Sequence, residues 1–225
     1  MGMLIIMFGF LVTALIGLGF LLRGFGNYKP NKKRVQEDLK KMKADMDKWI
    51  EDLVPIRKGD LELFSLNQLK QNVKKSASYT AKGIYTTIFD EPIVAYSFKK
   101  YASSKKKLDA LLYARTAEHE YAYRFKDDSI QIVIDNHLIG SINQNGELLS
   151  ARNRKPIARL SKGNQRHQPI LINDKEVANV TRALPAAKKD LNQRAFEFVS
   201  DNLTKEEENL LLSLATLELV QRSNE

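Results

Sequence analysis

A helix that is apolar on every side lies near the C-terminus of this chain. Thr204 and Glu207 belong to a capping-box pattern, Thr-Lys-Glu-Glu, which predicts that a helix begins directly after Thr204. The segment that follows, NLLLSLATLELVQRS, places leucine, alanine and valine around nearly the whole circumference of that helix. The helix is too short, and too acidic at its start, to cross a bilayer. We therefore predict that residues 204–221 form a helix buried inside a surrounding β structure.

The sequence before this helix consists of short β-rich runs separated by turn signals. The run GIYTTIFDEPIVAYSF turns at Asp90, Glu91 and Pro92, because proline presets a turn and cannot donate within a central strand. Further turns, rich in asparagine, aspartate or glycine, are centred at residues 135–137, 145–146, 152–154, 162–164 and 173–175. This pattern predicts a mainly β domain over residues 59–225, an antiparallel barrel of short hairpins around the hydrophobic C-terminal helix. The run LLYARTAEHEYAYRF fits either one long strand or two strands.

Residues 3–22 form the longest uncharged stretch, MLIIMFGFLVTALIGLGFLL. A helix of twenty residues spans about 30 Å, the thickness of the hydrocarbon core of a bilayer. A cleavable signal peptide is the alternative, but such a peptide carries a basic segment before its apolar core, and nothing basic precedes Met3. We predict a single transmembrane helix over residues 3–22.

Basic residues directly after this stretch predict its orientation, because positively charged segments stay on the cytoplasmic side. These residues are Arg23, Lys29, Lys32, Lys33 and Arg34. The N-terminus is then outside and the β domain is cytoplasmic. The lack of an organellar targeting signal, together with this layout, favours the inner membrane of a bacterium.

Small residues recur at every fourth position of the predicted span, at Gly9, Thr13 and Gly17. Such a stripe permits a second helix to approach closely, which would favour homo-oligomers or assembly with other membrane proteins. The alternative is that glycine is simply frequent in membrane helices.

The segment of residues 23–58 contains a basic linker and an amphipathic helix that ends at Pro55. It holds 11 basic and 6 acidic residues, a net charge of +5. Its apolar residues are spaced alternately by four and three positions, as in a coiled-coil seam. They are Val35, Leu39, Met42, Met46, Trp49 and Leu53. Three alternatives remain open: the helix packs on the β domain, on the anionic membrane surface, or on another chain.

Two further clusters of basic residues are candidate sites for phosphate groups or lipid headgroups, because lysine and arginine bind phosphate oxygens. The first follows the strand that ends at Phe98 and consists of Lys99, Lys100, Lys105, Lys106 and Lys107. The second consists of Arg152, Arg154 and Lys155. The alternative for both clusters is a solvated loop whose charges only maintain solubility.

Composition argues against catalysis and against metal or cofactor binding. The chain contains no cysteine and only three histidines, His119, His137 and His167, which lack the spacing of metal ligands. No P-loop, dinucleotide fingerprint or nucleophile elbow is present. In Glu118-His119-Glu120, strand alternation would keep the carboxylates away from the histidine. The net charge of +9 fits nucleic acid poorly, because aromatic residues do not alternate with the basic ones.

A barrel of short hairpins closed around one hydrophobic helix resembles the tubby C-terminal-like fold of tubby, the phospholipid scramblases and the LURP-one-related proteins. The resemblance covers residues 75–221 and is carried by the hairpins from Ile130 to Thr181, by Phe196 and Phe198, and by the helix of residues 210–220. It implies a non-enzymatic, membrane-associated binding domain, with phosphoinositide binding in tubby and lipid movement in scramblases. The chain departs from the scramblases in lacking a cysteine cluster and in having its anchor near the N-terminus.

These features together predict a single-pass membrane protein without catalytic activity. Its cytoplasmic barrel is expected to bind anionic lipid or a partner protein at the membrane surface. The alternative is an accessory or scaffold subunit of a membrane protein complex.

Overall fold

A computed structural model describes residues 30–56, 58–75, 79–102, 107–161, 167–181 and 193–224. The predicted span of residues 3–22, with Gly9, Thr13 and Gly17, lies outside these residues, as do Arg23 and Lys29. No helix within the described residues is both long enough and apolar enough to cross a membrane.

Within the described residues, twelve antiparallel strands, each paired with its neighbours in chain order, form one sheet. They are β1 (Phe64–Lys75), β2 (Tyr79–Thr87), β3 (Pro92–Lys100), β4 (Ala110–Arg115), β5 (Glu120–Lys126), β6 (Ser129–Ile134), β7 (His137–Ile142), β8 (Glu147–Ser150), β9 (Pro156–Leu160), β10 (His167–Ile172), β11 (Lys175–Thr181) and β12 (Phe196–Val199). Backbone bonds also join the start of β1 to the residues before β12: Leu66 N donates to Gln193 O, and Ala195 N donates to Phe64 O. The sheet therefore curls into a nearly closed barrel, and the predicted mainly β, antiparallel architecture is confirmed.

The C-terminal helix, α2, begins with the capping box that the sequence predicts. The helix spans Lys205–Ser223, Thr204 accepts from Glu207 N, and the Glu207 carboxylate accepts from Thr204 N. All seven residues from Leu211 to Leu217 are buried, so protein covers every face of the helix there. Burial contributes about 1.5–3 kcal/mol for each large apolar side chain, which makes α2 a main stabilising element.

Tyrosines of the barrel wall hold α2 along its length. The Tyr121 hydroxyl donates to Asn209 Oδ1 over 2.7 Å, near the start of the helix. The Tyr123 hydroxyl donates to the Ser213 carbonyl over 2.8 Å, and the Tyr79 hydroxyl donates to Asn224 Oδ1 over 2.8 Å. Burial raises the pKa of Tyr123 above its ordinary value, so its hydroxyl keeps the proton that it donates.

The predicted amphipathic helix packs on the outside of the barrel, one of the three alternatives that the sequence left open. Helix α1 spans Lys32–Met46, begins at an Asn31 cap, and continues into a 3-10 helix, Asp47–Asp52. Met42, Met46 and Leu53 are buried in a cluster of their own, separate from the barrel interior. Their barrel partners are Ile84, Ala95, Tyr101, Leu111 and Tyr113. The helix and the barrel therefore form one packed unit.

Strand connections alternate between two ends of the barrel, because consecutive strands are antiparallel. We call the end where α1 begins the proximal end. Its strand ends are joined by residues 76–78, 101–109, 127–128, 143–146, 161–166 and 182–195. The distal end has the connections 88–91, 116–119, 135–136, 151–155, 173–174 and 200–204. Helix α1 and the 3-10 helix that follows it run from one end to the other, since Asp38 contacts Lys99 at the proximal end and Asp47 contacts Arg115 at the distal end.

Candidate functional site

The two ends of the barrel differ in charge. Among the described residues, the proximal end has the exposed cations Lys32 and Lys33 at the start of α1 and Lys100 at the end of β3. The distal connections contain three basic and six acidic residues, a net charge of −3. An anionic surface would be attracted to the exposed cations of the proximal end and repelled by the carboxylates of the distal connections.

Only part of the first predicted lysine cluster is available to a ligand. Lys99 is largely buried, with 13% of its side chain exposed, and its Nζ lies 2.8 Å from Asp38 Oδ2. Lys100, the last residue of β3, is exposed, while Lys107 is paired with Asp128. That hydrogen bond raises the pKa of Lys107 and lowers the pKa of Asp128. Lys105 and Lys106 lie outside the described residues.

Three of the predicted juxtamembrane cations occupy the first turn of α1. Lys32 and Lys33 are exposed, and Arg34 Nε lies 3.6 Å from Asp38 Oδ2. This first turn contains no acidic residue. Because a helix N-terminus carries partial positive charge, each cation there costs about 0.3–1 kcal/mol unless an anion lies nearby. The turn adds positive charge to the proximal end.

The second predicted cluster lies at the distal end, in the turn between β8 and β9. Arg152, Arg154 and Lys155 are all exposed. None of them has an ion-pair partner among the described residues. We call these three residues the distal basic tip. The distal basic tip and the described members of the lysine cluster, Lys99, Lys100 and Lys107, therefore lie at opposite ends of the barrel and do not form one site.

An ion-pair network that sequence reasoning missed attaches the end of α1 to the barrel. Lys43 Nζ donates to Glu120 Oε1 over 2.7 Å, and Arg115 Nη1 donates to both Asp47 and Glu120, over 2.6 Å and 2.9 Å. Burial by itself raises the pKa of Glu120, but hydrogen bonding and the charges of Lys43 and Arg115 hold it below its ordinary value. The contacts between the helix side and the barrel side of this network span 68 and 77 positions of the sequence, so residue spacing contains no signal for them.

The distal end also contains a half-open cavity of about 450 Å³ beside the start of α2. Hydrogen bonds fix one wall: His119 Nδ1 lies 2.7 Å from Asp135 Oδ2, and Asp135 Oδ1 accepts from Glu120 N. The remaining described lining combines apolar residues with charged and amide groups. It consists of Ile56, Leu61, Glu118, Tyr121, Leu203, Lys205, Glu208, Asn209 and Leu212.

The cavity partly contradicts the expectation for Glu118-His119-Glu120. Glu118 and His119 line the same cavity, because they lie in the turn between β4 and β5 and not on a regular strand. Glu120 begins β5 and points to Lys43 and Arg115 instead. The carboxylate that His119 contacts comes from a different turn, at Asp135. The cavity provides acid–base and hydrogen-bonding groups within a volume that suits a small ligand.

Comparisons with known proteins leave the family open. No family model, no curated protein and no solved structure matches this chain. The resemblance to the tubby C-terminal-like fold therefore stays a prediction.

Proposed function

We propose that this protein is a membrane-anchored, non-enzymatic binding module whose proximal end engages anionic lipid headgroups. The observation that carries the proposal is the position of the exposed cations Lys32, Lys33 and Lys100 at the proximal end, while the distal connections have a net charge of −3. Lipid headgroups on the cytoplasmic side of a membrane are anionic and attract such a surface within about a Debye length, roughly 8 Å at physiological salt.

The start of α1 supports the same orientation. Its first-turn cations, Lys32 and Lys33, oppose the helix dipole and are exposed, so an anionic surface nearby would stabilise them. Nine residue steps separate Leu22, the end of the predicted span, from Asn31. An extended chain of that length reaches at most about 30 Å, which would keep the proximal end near the membrane.

Packing of α1 on the barrel supports a fixed presentation of this end. The helix is joined to the barrel by an apolar cluster and by ion pairs of Asp38, in its middle, and of Asp47, directly after its end. Because α1 is fixed on the barrel, its first-turn lysines keep one position relative to Lys100. Lys32, Lys33 and Lys100 would then face the headgroups together.

Vesicle flotation of residues 30–225 tests the proposal, since this fragment keeps α1 on the barrel but lacks the predicted span. We expect it to float with vesicles of phosphatidylcholine and phosphatidylglycerol, and not with phosphatidylcholine alone. Changing Lys32, Lys33 and Lys100 to glutamine should lower partitioning by about a hundredfold, at about 1 kcal/mol for each lysine.

The distal basic tip offers a matched control with the same change in charge. Changing Arg152, Arg154 and Lys155 to glutamine should leave flotation nearly unchanged, because these residues lie at the other end of the barrel. Equal losses with both triple variants would mean that net charge alone drives binding. Binding that survives high salt would equally contradict the electrostatic proposal.

A further inference from the structure

The distal basic tip is a rigid turn, and its backbone is held from several sides. Arg154 N donates to Ser150 O over 3.0 Å, and Ser150 N donates to Lys155 O over 2.9 Å. Ala151 N donates to Ile139 O of the neighbouring strand β7 over 2.8 Å. Its cationic side chains therefore project from a fixed base, which reduces the entropy lost when a ligand binds.

Arg154 has a backbone conformation that is costly for arginine. Its φ is 61°, in the left-handed region, where glycine and asparagine are favoured. Every other non-glycine residue with positive φ among the described residues is aspartate or asparagine. A turn selected only for its backbone would have such a residue at position 154. The arginine at this position indicates a role for its side chain.

The surroundings of the tip restrict what can bind there. The other distal connections contain six acidic residues and no basic ones. A flat anionic membrane that reached the tip would also meet this acidic surface and be repelled by it. A narrow acidic segment can contact the tip alone. Leu138, beside the strand residue that bonds Ala151, is 55% exposed and offers such a segment an apolar contact.

We propose that the distal basic tip binds an acidic segment of a partner protein, with glutamate or aspartate side chains on Arg152, Arg154 and Lys155 and an apolar side chain on Leu138. The choice of a protein and not a lipid as the occupant rests on the proposed function, which assigns the proximal end to the membrane. The module would then hold an anionic membrane at one end and an acidic partner at the other.

The test uses the full chain in phosphatidylcholine nanodiscs and a short fluorescein-labelled peptide rich in glutamate and containing leucine. Fluorescence anisotropy measures its affinity, and the same peptide with glutamine in place of glutamate corrects for contacts other than charge. Changing Arg152, Arg154 and Lys155 to glutamine should weaken binding by about tenfold, as expected for three exposed ion pairs. Changing Lys32, Lys33 and Lys100 to glutamine should weaken peptide binding by less than about twofold, because salt screens the attraction between the peptide and charges at the other end of the barrel.

A single substitution distinguishes the role of the Arg154 side chain in binding from the effect of its backbone conformation on stability. Arg154→Gly relieves the left-handed conformation, so the thermal midpoint should stay the same or rise. Peptide affinity should nevertheless fall. A lower thermal midpoint with unchanged affinity would assign Arg154 a structural role and overturn the proposal.

The outcomes distinguish this inference from the proposed function. If the distal variant binds the peptide as tightly as the unmodified protein, while vesicle flotation still depends on Lys32, Lys33 and Lys100, the inference fails and the proposed function stands. If flotation on anionic vesicles is lost in the distal variant and kept in the proximal one, the tip is a lipid site and both proposals fail. Equal weakening of peptide binding by both variants would show unspecific attraction and also overturn the inference.

Discussion

The carboxylate of Asp38 in α1 lies 2.8 Å from the ammonium of Lys99 in β3, and only 6% and 13% of these side chains are exposed. Asp38 Oδ2 also accepts from the Tyr101 hydroxyl over 3.0 Å. Burial, followed by the charge of Asp38, raises the pKa of Tyr101, so the hydroxyl remains a donor. This buried pair attaches α1 at the proximal end, where the candidate lipid-binding lysines lie.

Asp38→Ala should destabilise the protein by about 3 kcal/mol, because it leaves Lys99 largely buried without its counter-ion. For a domain of this size the thermal midpoint should fall by about 2–4 °C per kcal/mol. The exposed Asp52→Ala is the control and should change little. Adding Lys99→Met to Asp38→Ala should restore part of the loss, and failure to do so would argue against a stabilising pair.

Acid should release α1 from the barrel before the barrel unfolds. The Lys82 hydrogen bond holds the pKa of Asp45 below its ordinary value of 3.8. The pKa of Glu120 also lies below its ordinary value of 4.5, because Lys43 and Arg115 outweigh the opposing effect of burial. The folded state therefore binds fewer protons than the unfolded state. This stabilisation is full above these ordinary values and is lost as pH falls through the lowered ones.

Trp49 reports this release because it is the only tryptophan and packs against the cluster under α1. Its emission should shift to the red below about pH 4, at a higher pH than the loss of far-ultraviolet dichroism. The variant Asp45→Asn with Glu120→Gln should show a smaller separation between the two transitions. Coincident transitions in the unmodified protein would mean that α1 and the barrel unfold together.

Local backbone chemistry made several elements predictable from the sequence. Thr204 and Glu207 predicted the start of α2 because both halves of a capping box lie within four residues. Asp135 and Asn136 predicted a tight turn, and both have positive φ in the structure. These interactions form between neighbours in the chain, so they can be predicted from the sequence without knowledge of the tertiary fold.

The relative positions of the basic clusters could not be predicted, because they depend on the number of strands between them. The run of residues 111–125 fitted one strand or two, and the structure has two, joined at residues 116–119. One strand fewer would have put residues 101–109 and 151–155 at the same end of the barrel. The pairing of Lys99 with Asp38 could not be predicted either, because 61 positions separate the two residues and only the tertiary fold brings them together.

Gly140→Ala should strongly destabilise the barrel, although Gly140 lies within a strand. A Cβ atom there would lie 2.1 Å from the carbonyl oxygen of Leu149 on the neighbouring strand β8, and backbone atoms cannot move aside easily. We expect a loss of about 1–3 kcal/mol or more, measured by urea unfolding. Gly59→Ala is the control, since no atom lies within 4 Å of the added methyl group. Similar effects of both substitutions would contradict this account.

Leu214→Ala should show how strongly the fold depends on its central helix. Leu214 lies in the middle of α2 and is fully buried, while the barrel wall around it is held by hydrogen bonds such as Tyr123 to Ser213. The wall cannot collapse fully into the space left by the leucine, so we expect a loss of about 3–5 kcal/mol in urea unfolding. Leu138→Ala removes the same atoms from a side chain that is 55% exposed and should cost much less. Equal losses would mean that burial inside the barrel is not what makes α2 stabilising.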